Sequence, residues 1–493
     1  MIILAKISTS INMLRNKDRN KISELQTSYA PDGVDGHSIL SSFKALKLTE
    51  SFSAFKNIKE RGYGFKVVLS VLILMVVHSE RQSIAICLDG FFGSEVGMKK
   101  DVFYRLKNRE TIGWRMILWH IASRFLAITF ANSTTCKDKP RYLIFDDTTI
   151  KKSGKKMEFI GRVWDHVTHR SVLGFKLLVM LYWDGVSSIS LDFSIHREKK
   201  KREEYPYGMR KKDLRRQYSK KRVKESYSGK RIKELDINKI TVALRLFYSA
   251  VYRCIKIDYV LVDSWFTCDT FIQAVRGVKD QTIHLIGMYK IAKTKFEFRG
   301  TPLTYAQINN RLGKPKRCRK LGYQYKRADV VYNDVRLTLF FSRRGKRDDW
   351  KVILTTDTSL SFIKTVEHYQ VRWTVEVFFK EAKSLLNLGG CQSSNFDAQI
   401  ADTTISMITY ILLSFRYRYD NYESMGALYR SMNADRLRQT LDLRLWGLFL
   451  EMIQLVADLF NTDADELLQK MLTDPIAEQR LTQMLGNSIQ ETG

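Results

Sequence analysis

Two short apolar runs, each ending on an acid, constrain this chain more than anything else in its 493 residues. RYLIFDDTTI sets four apolar or aromatic residues directly before Asp146 and Asp147, and YVLVDSWF sets a similar run before Asp263. Runs of this length, bounded by turn residues, read as buried strands. A carboxylate at the end of a buried strand is costly unless it finds a cation, a hydrogen-bond donor or a cap position. Taken singly, Asp146 and Asp147 can cap a turn onto Thr148 and Thr149, and Asp263 can cap a helix beginning near Thr267. Taken together, two strands of one core that end alike can carry their acids to one end of one sheet.

A third acid lies in YQVRWTVEVFFKEAK, residues 369–383. Read as one helix at about 100° per residue, Tyr369, Arg372, Glu376 and Lys383 share a sector of roughly 60°. Val371, Val375, Phe378, Ala382 and Leu385 fall on the opposite side, as a helix packed on a core requires. One acid is thus held between two cations and a phenol. An ordinary solvated face would look the same, and only further acids elsewhere distinguish the two. Asp146 or Asp147, Asp263 and Glu376 supply them. Hard divalent cations take carboxylate oxygens together with water and substrate phosphate. A pair of such ions activates a nucleophile and stabilises the leaving oxygen of a phosphoryl displacement.

The charge balance agrees. With 82 Lys and Arg against 52 Asp and Glu, the chain carries a formal charge of +30, which calls for a polyanionic partner, nucleic acid above all. A membrane surface is the competing partner, but the most apolar run, Val67 to Val77, is too short to span a bilayer and reads as a buried helix. Six cysteines without a C-x2-C pair suggest neither a zinc site nor a disulfide framework, and fit a reducing cytoplasm. His166 and His169 form H-x2-H without a third ligand, and read as loop residues near the first acid. MIILA followed by Lys6, Arg15, Lys17 and Arg19 lacks the apolar core of an export signal.

Along the chain, residues 1–135 read as a polar arm to about residue 50 and then a helical region. There Gly90, Gly93 and Gly97 precede KKDVFYRLKNRE, either a helix-turn-helix facing DNA or a plain helical bundle. Residues 138–285 open on three apolar strand runs and include the segment 197–233, which holds seventeen Lys or Arg against five acids, interleaved with tyrosines. Such density suits either contact with phosphates or a solvated loop, and its single sign favours the phosphates. Residues 286–350 read as an inserted β-rich domain with basic turns, and 351–420 return to the core with the acid-bearing helix. The tail, 421–493, reads as helical. From Ser431 onward it holds ten acids and five Lys or Arg, which suits protein contact, including dimerisation.

Tyr369-x2-Arg372-x3-Glu376-x6-Lys383, with LIFDDTT and LVDSW upstream, resembles the Y-R-E-K signature of bacterial transposases of the insertion-sequence-4 family. The resemblance covers about residues 138–415, and KKSGKKMEFIGRVWDHVTHRSVLGFK shares its look without an assignable role. It implies an α/β fold with an RNase H-like catalytic core, an inserted β-rich domain and flanking helical regions. It implies cleavage of double-stranded DNA at transposon ends and strand transfer into target DNA, by a homodimer associated with the bacterial nucleoid in the cytoplasm. Asp263 and Glu376 would be metal ligands for Mg2+, with Mn2+ able to substitute and two ions expected. The first ligand would be Asp146, as D-x-T with Thr148, or Asp147, with Thr149; Asp146 is preferred because it directly follows the apolar strand. Arg372, Lys383 and Tyr369 would hold DNA phosphates. Trp350 would stack on an extruded base, although it precedes its strand by one residue more than the pattern and reads equally as a strand-end core aromatic. Two other functions suit the same residues: a metal-dependent nuclease that does not join ends, and a non-catalytic DNA-binding protein derived from an inactivated transposase.

Overall fold

The computed structural model describes residues 62–78, 83–89, 98–131, 139–290, 294–345, 348–419 and 422–433, with isolated positions between 42 and 58 and between 452 and 476. The N-terminal arm, the glycines Gly90, Gly93 and Gly97 and the acidic tail lie almost wholly outside the described residues, and with them the turn on which the helix-turn-helix alternative depends and the tail read as suited to protein contact.

Among the described residues the longer helices of the N-terminal part are α1 (Phe65–His78), α2 (Ile84–Asp89), α3 (Lys100–Lys107) and α4 (Trp114–Ala131). The strand-rich part opens with β1 (Tyr142–Lys151), β2 (Gly161–Asp165), β3 (Arg170–Trp183) and β4 (Ser188–His196). Next come α5 (Lys211–Arg215), α6 (Tyr227–Glu234), α7 (Lys239–Tyr252), β5 (Tyr259–Val262), α8 (Asp269–Arg276) and β6 (His284–Tyr289). Then follow β7 (Lys295–Phe298), β8 (Thr301–Thr304), α9 (Tyr305–Arg311), β9 (Lys316–Cys318), β10 (Tyr323–Tyr332), β11 (Val335–Arg343) and β12 (Lys351–Thr355). After β12 come α10 (Phe362–Gln370), α11 (Trp373–Leu385) and α12 (Phe396–Tyr419), and residues 425–433 are helical as well.

The twelve strands of the described residues join one mixed sheet. β1 runs antiparallel to β3, whose outer edge carries β4 and, further along, β2. On its other side β1 pairs in parallel with β5, and β5 in parallel with β6. The apolar runs are continuous because these strands are covered on both faces: Tyr142 to Phe145 and Val260 to Val262 are all buried. Residues 286–350 continue this sheet, since β12 pairs antiparallel with β6 and leads on to β11, β10, β7 and β8.

Two elements differ from their sequence reading. Residues 369–383 form two helices, because the chain tightens at Val371 and Arg372 into i to i−3 hydrogen bonds: the Arg372 amide donates to the Tyr369 carbonyl at 3.0 Å and the Val375 amide to Arg372 at 3.1 Å. In such a turn residues three apart eclipse, which brings Tyr369 and Arg372 onto one edge. The basic segment is likewise folded around α5 and α6 rather than a loose loop. Twelve of its seventeen cations are exposed, while Arg197, Lys200, Lys220, Arg222 and Arg231 turn inward.

The helix α12 is long and apolar enough to cross a membrane by length and composition, but that window is 94 % buried in the fold. It packs against α1, α4 and β4, and its Asp397 and Asp402 are bound to Lys220 and Lys107.

Candidate active site

The register of the parallel pair β1 and β5 builds the site. Phe145 stands opposite Val262, so the next position sets Asp146 beside Asp263 on adjacent strands, about 5 Å apart between backbones. The turn after β5 fixes Asp263 in place. Its Oδ1 accepts from the amides of Trp265 at 2.9 Å and Phe266 at 3.2 Å, and the Thr267 hydroxyl donates to its carbonyl. Asp263 therefore caps this turn, not α8, which begins at Asp269. Gly287 on β6 admits the turn: a Cβ there would lie 2.2 Å from Thr267 Oγ1.

Alternation along β1 sends Asp146 and Asp147 to opposite faces of the sheet. On the Asp146 face lies α11. Arg372 Nη1 donates to Asp146 Oδ2 at 2.8 Å and its Nη2 to Glu376 Oε1 at 2.6 Å, so one guanidinium spans two of the three acids. Lys383 Nζ donates to Thr148 Oγ1 at 2.6 Å and to the Thr149 carbonyl at 3.1 Å. Asp147, on the other face, accepts from Lys239 at 2.9 Å and sits 3.6 Å from Lys176.

These surroundings separate the two aspartates electrostatically. Burial, with Asp263 alongside, pushes Asp146 up to about 7 against the pull of Arg372. Burial also raises Asp147, but Lys239 and Lys176 outweigh it and hold the carboxyl below the usual range. Asp263 is raised, first by burial. Tyr369 is pushed up to about 12 by burial, so its phenol is a hydrogen-bond donor at neutral pH. Burial lowers Lys383.

A divalent cation suits Asp146 and Asp263. Both offer hard oxygen donors, and each carries a proton affinity raised by the cost of being charged in a buried place. Glu376 reaches Asp146 through the Arg372 guanidinium, and among the described residues no group of three or more His, Cys, Asp or Glu is gathered to hold a metal ion. An expected result follows from the sign of the Asp146 shift. Its folded-state value lies above the unfolded one, so its contribution to stability is complete below about pH 4 and is lost as pH rises through about 7. Without divalent ions, thermal melting of Asp146→Asn should gain on the unsubstituted protein between pH 5 and 8, and Mg2+ should raise the Tm of the unsubstituted protein most at the upper end. Parallel melting curves for the two proteins across that range would defeat the assignment.

Trp350 stands beyond the carboxyl end of β6, just before β12, on the same end of the sheet as the acids. Three strand spacings, roughly 14 Å, separate its strand from β1. Its ring is partly buried, with the Arg343 guanidinium 4.4 Å and Lys326 Nζ 5.3 Å from the centroid. His166 and His169 lie exposed at the tip of the β2–β3 hairpin.

Three participants were not singled out from the sequence. Lys239 and Lys176 carry no motif and are recruited only by the fold. Trp265 stood in plain view, two residues after Asp263, as an aromatic next to an acid-ended strand.

No curated protein matches the chain. The sequence model of a family described as the transposase DDE domain matches residues 195–412. That span begins after β1, so it takes in Asp263, Tyr369, Arg372, Glu376 and Lys383 but leaves Asp146 and Asp147 to the geometry. The chain thus carries a transposase DDE domain across residues 195–412.

Proposed function

We propose that this protein is a DNA transposase of the insertion-sequence-4 type, cleaving DNA at element ends and transferring the strands to a target, with Asp146, Asp263 and Glu376 as its metal ligands. The observation that carries the reading is the β1–β5 register, which sets Asp146 beside Asp263 while Arg372 links Asp146 to Glu376. The matched domain supports phosphoryl transfer on DNA by a divalent-metal enzyme. The strand order β4-β3-β1-β5-β6, an antiparallel meander followed by two parallel strands, supports an RNase H-like core, with residues 286–350 as its insertion.

In this reading Mg2+ or Mn2+, when bound, activates a water or a 3′-hydroxyl and stabilises the leaving oxygen. The protein's own groups prepare the place. Burial, and after it the neighbouring Asp263, keeps a proton on Asp146 up to about pH 7, so a bound cation would compete with that proton for the carboxylate. Arg372 holds Asp146 and Glu376 in the absence of DNA and turns to a substrate phosphate when the acids are engaged, the bidentate pairing for which its fork is suited. Lys383 lies one step along β1, where Thr148 keeps it pointed at the site, and Tyr369 donates to a phosphate oxygen. Asp147 acts as a structural anion for Lys239 and Lys176 rather than as a ligand. Stacking of a base on Trp350 requires Arg343 to move off its ring. The exposed cations of residues 197–233 supply sequence-independent affinity for the DNA backbone, and a homodimer would bring two ends together.

Strand transfer separates this reading from a nuclease. Given a DNA end already cut to a 3′-hydroxyl, the protein with Mg2+ should join it to a target plasmid. Cutting without any joined product would leave a nuclease.

A further inference from the structure

We propose that Trp265, with Lys239 and Lys290, forms a stacking site for one unpaired nucleotide of a DNA strand, beside Asp263 and separate from Trp350. The inference rests on the DNA-transposition reading above and extends it to a second, nearer aromatic.

Trp265 is 55 % exposed, an unusual position for the largest apolar side chain in a turn that is otherwise fixed. Its amide donates to Asp263 Oδ1, so the carboxylate and the indole are held by the same turn, with Gly287 admitting it against β6. Two ammonium groups flank the ring. Lys239 Nζ is 5.5 Å from the centroid and is itself anchored on Asp147 at 2.9 Å. Lys290 Nζ is 6.0 Å from the centroid, on an exposed residue directly after β6, the neighbouring strand.

A half-exposed indole with two ammonium groups over its ring matches the chemistry of a nucleotide once the exposed Lys290 swings off the ring. A planar base stacks on the indole whatever its identity, and the flanking phosphates meet the ammonium groups. An apolar protein partner would instead have to desolvate both lysines, at a cost that contact with one ring does not offset. A paired base keeps its faces buried in the helical stack, so the site selects an unpaired nucleotide.

Binding of a fluorescein-labelled oligothymidylate and of a duplex of equal length, followed by anisotropy with EDTA present, tests this on the full chain. Trp265→Ala should bind the single strand about 5- to 150-fold more weakly, the fold-change that one base–aromatic stack represents. Trp265→Phe should recover most of that loss, duplex binding should change little, and Lys290→Ala should flatten the salt dependence. Equal melting temperatures exclude misfolding as the cause, and 2-aminopurine in the strand should be quenched by the unsubstituted protein but not by Trp265→Ala. Single-strand binding by Trp265→Ala equal to that of the unsubstituted protein would overturn the stacking site and leave the transposase reading standing, as would a Phe variant no better than Ala. Failure of the unsubstituted protein to bind either DNA would overturn the transposase reading itself.

Discussion

Asp263→Ala is expected to bind duplex DNA as the unsubstituted protein does while its Mg2+-dependent strand cleavage falls by about a thousandfold or more, equivalent to roughly 4 kcal/mol of transition-state stabilisation. The reason is local. Asp263 lies at the end of a buried strand, capped by its own turn, and among the described residues it makes no ion pair with the basic segment 197–233. In the proposed function its removal takes away a metal oxygen, and it leaves the exposed cations of residues 197–233 in place. Glu376→Ala should behave alike, and the double variant should lose little beyond either single one, because ligands of one centre act as a unit. Cleavage of element-end DNA and gel-shift binding, measured side by side, decide the matter. Equal loss of binding in both variants would show that these acids hold the fold or the DNA rather than the chemistry, and undiminished function in Glu376→Gln would favour a non-catalytic DNA-binding protein.

Arg222→Ala should have the largest effect on stability, about 3–5 kcal/mol, because it strands two buried carboxylates. Arg222 donates to both oxygens of Glu158 at 2.7 and 2.6 Å, to Asp397 at 2.7 Å and to Asn395 at 3.0 Å. The side chains of Arg222, Glu158 and Asp397 are 3 %, 3 % and 0 % exposed. Among the described residues Lys220, 2.8 Å from Asp397, is the one cation left to compensate, while the amides of Lys220 and Phe396 still donate to Glu158 at 3.1 Å each. Arg222→Lys should recover part of the loss, since a single ammonium cannot serve two carboxylates and an amide oxygen from one plane. Urea unfolding of the three proteins measures this; a loss below about 1 kcal/mol for the alanine variant would mean that the cluster relaxes or takes up water.

The fate of the basic segment shows where composition stops being informative. Seventeen cations in residues 197–233 read as one electrostatic body, yet Arg222 and Lys220 pin the start of α12 and Arg197 pairs with Asp236. Their partners lie up to 177 residues away along the chain, so no local pattern marks which cations turn inward. The helix at 369–383 shows the same limit at close range. Its polar positions were legible by spacing, but the tightening at Val371 and Arg372 was not, because no proline or glycine signals it.

By itself the sequence determined which residues could do the chemistry: apolar strands that end on Asp146, Asp147 and Asp263, and a spacing that gathers Tyr369, Arg372, Glu376 and Lys383. Strand ends and helical periodicity are local properties, written within a few residues. The tertiary structure alone decided how these pieces meet. The pairing of Phe145 with Val262 sets Asp146 beside Asp263, and the pleat of β1 turns Asp147 to the far face and to Lys239. Register and facing arise between segments more than a hundred residues apart, and a shift of one position would exchange the two aspartates.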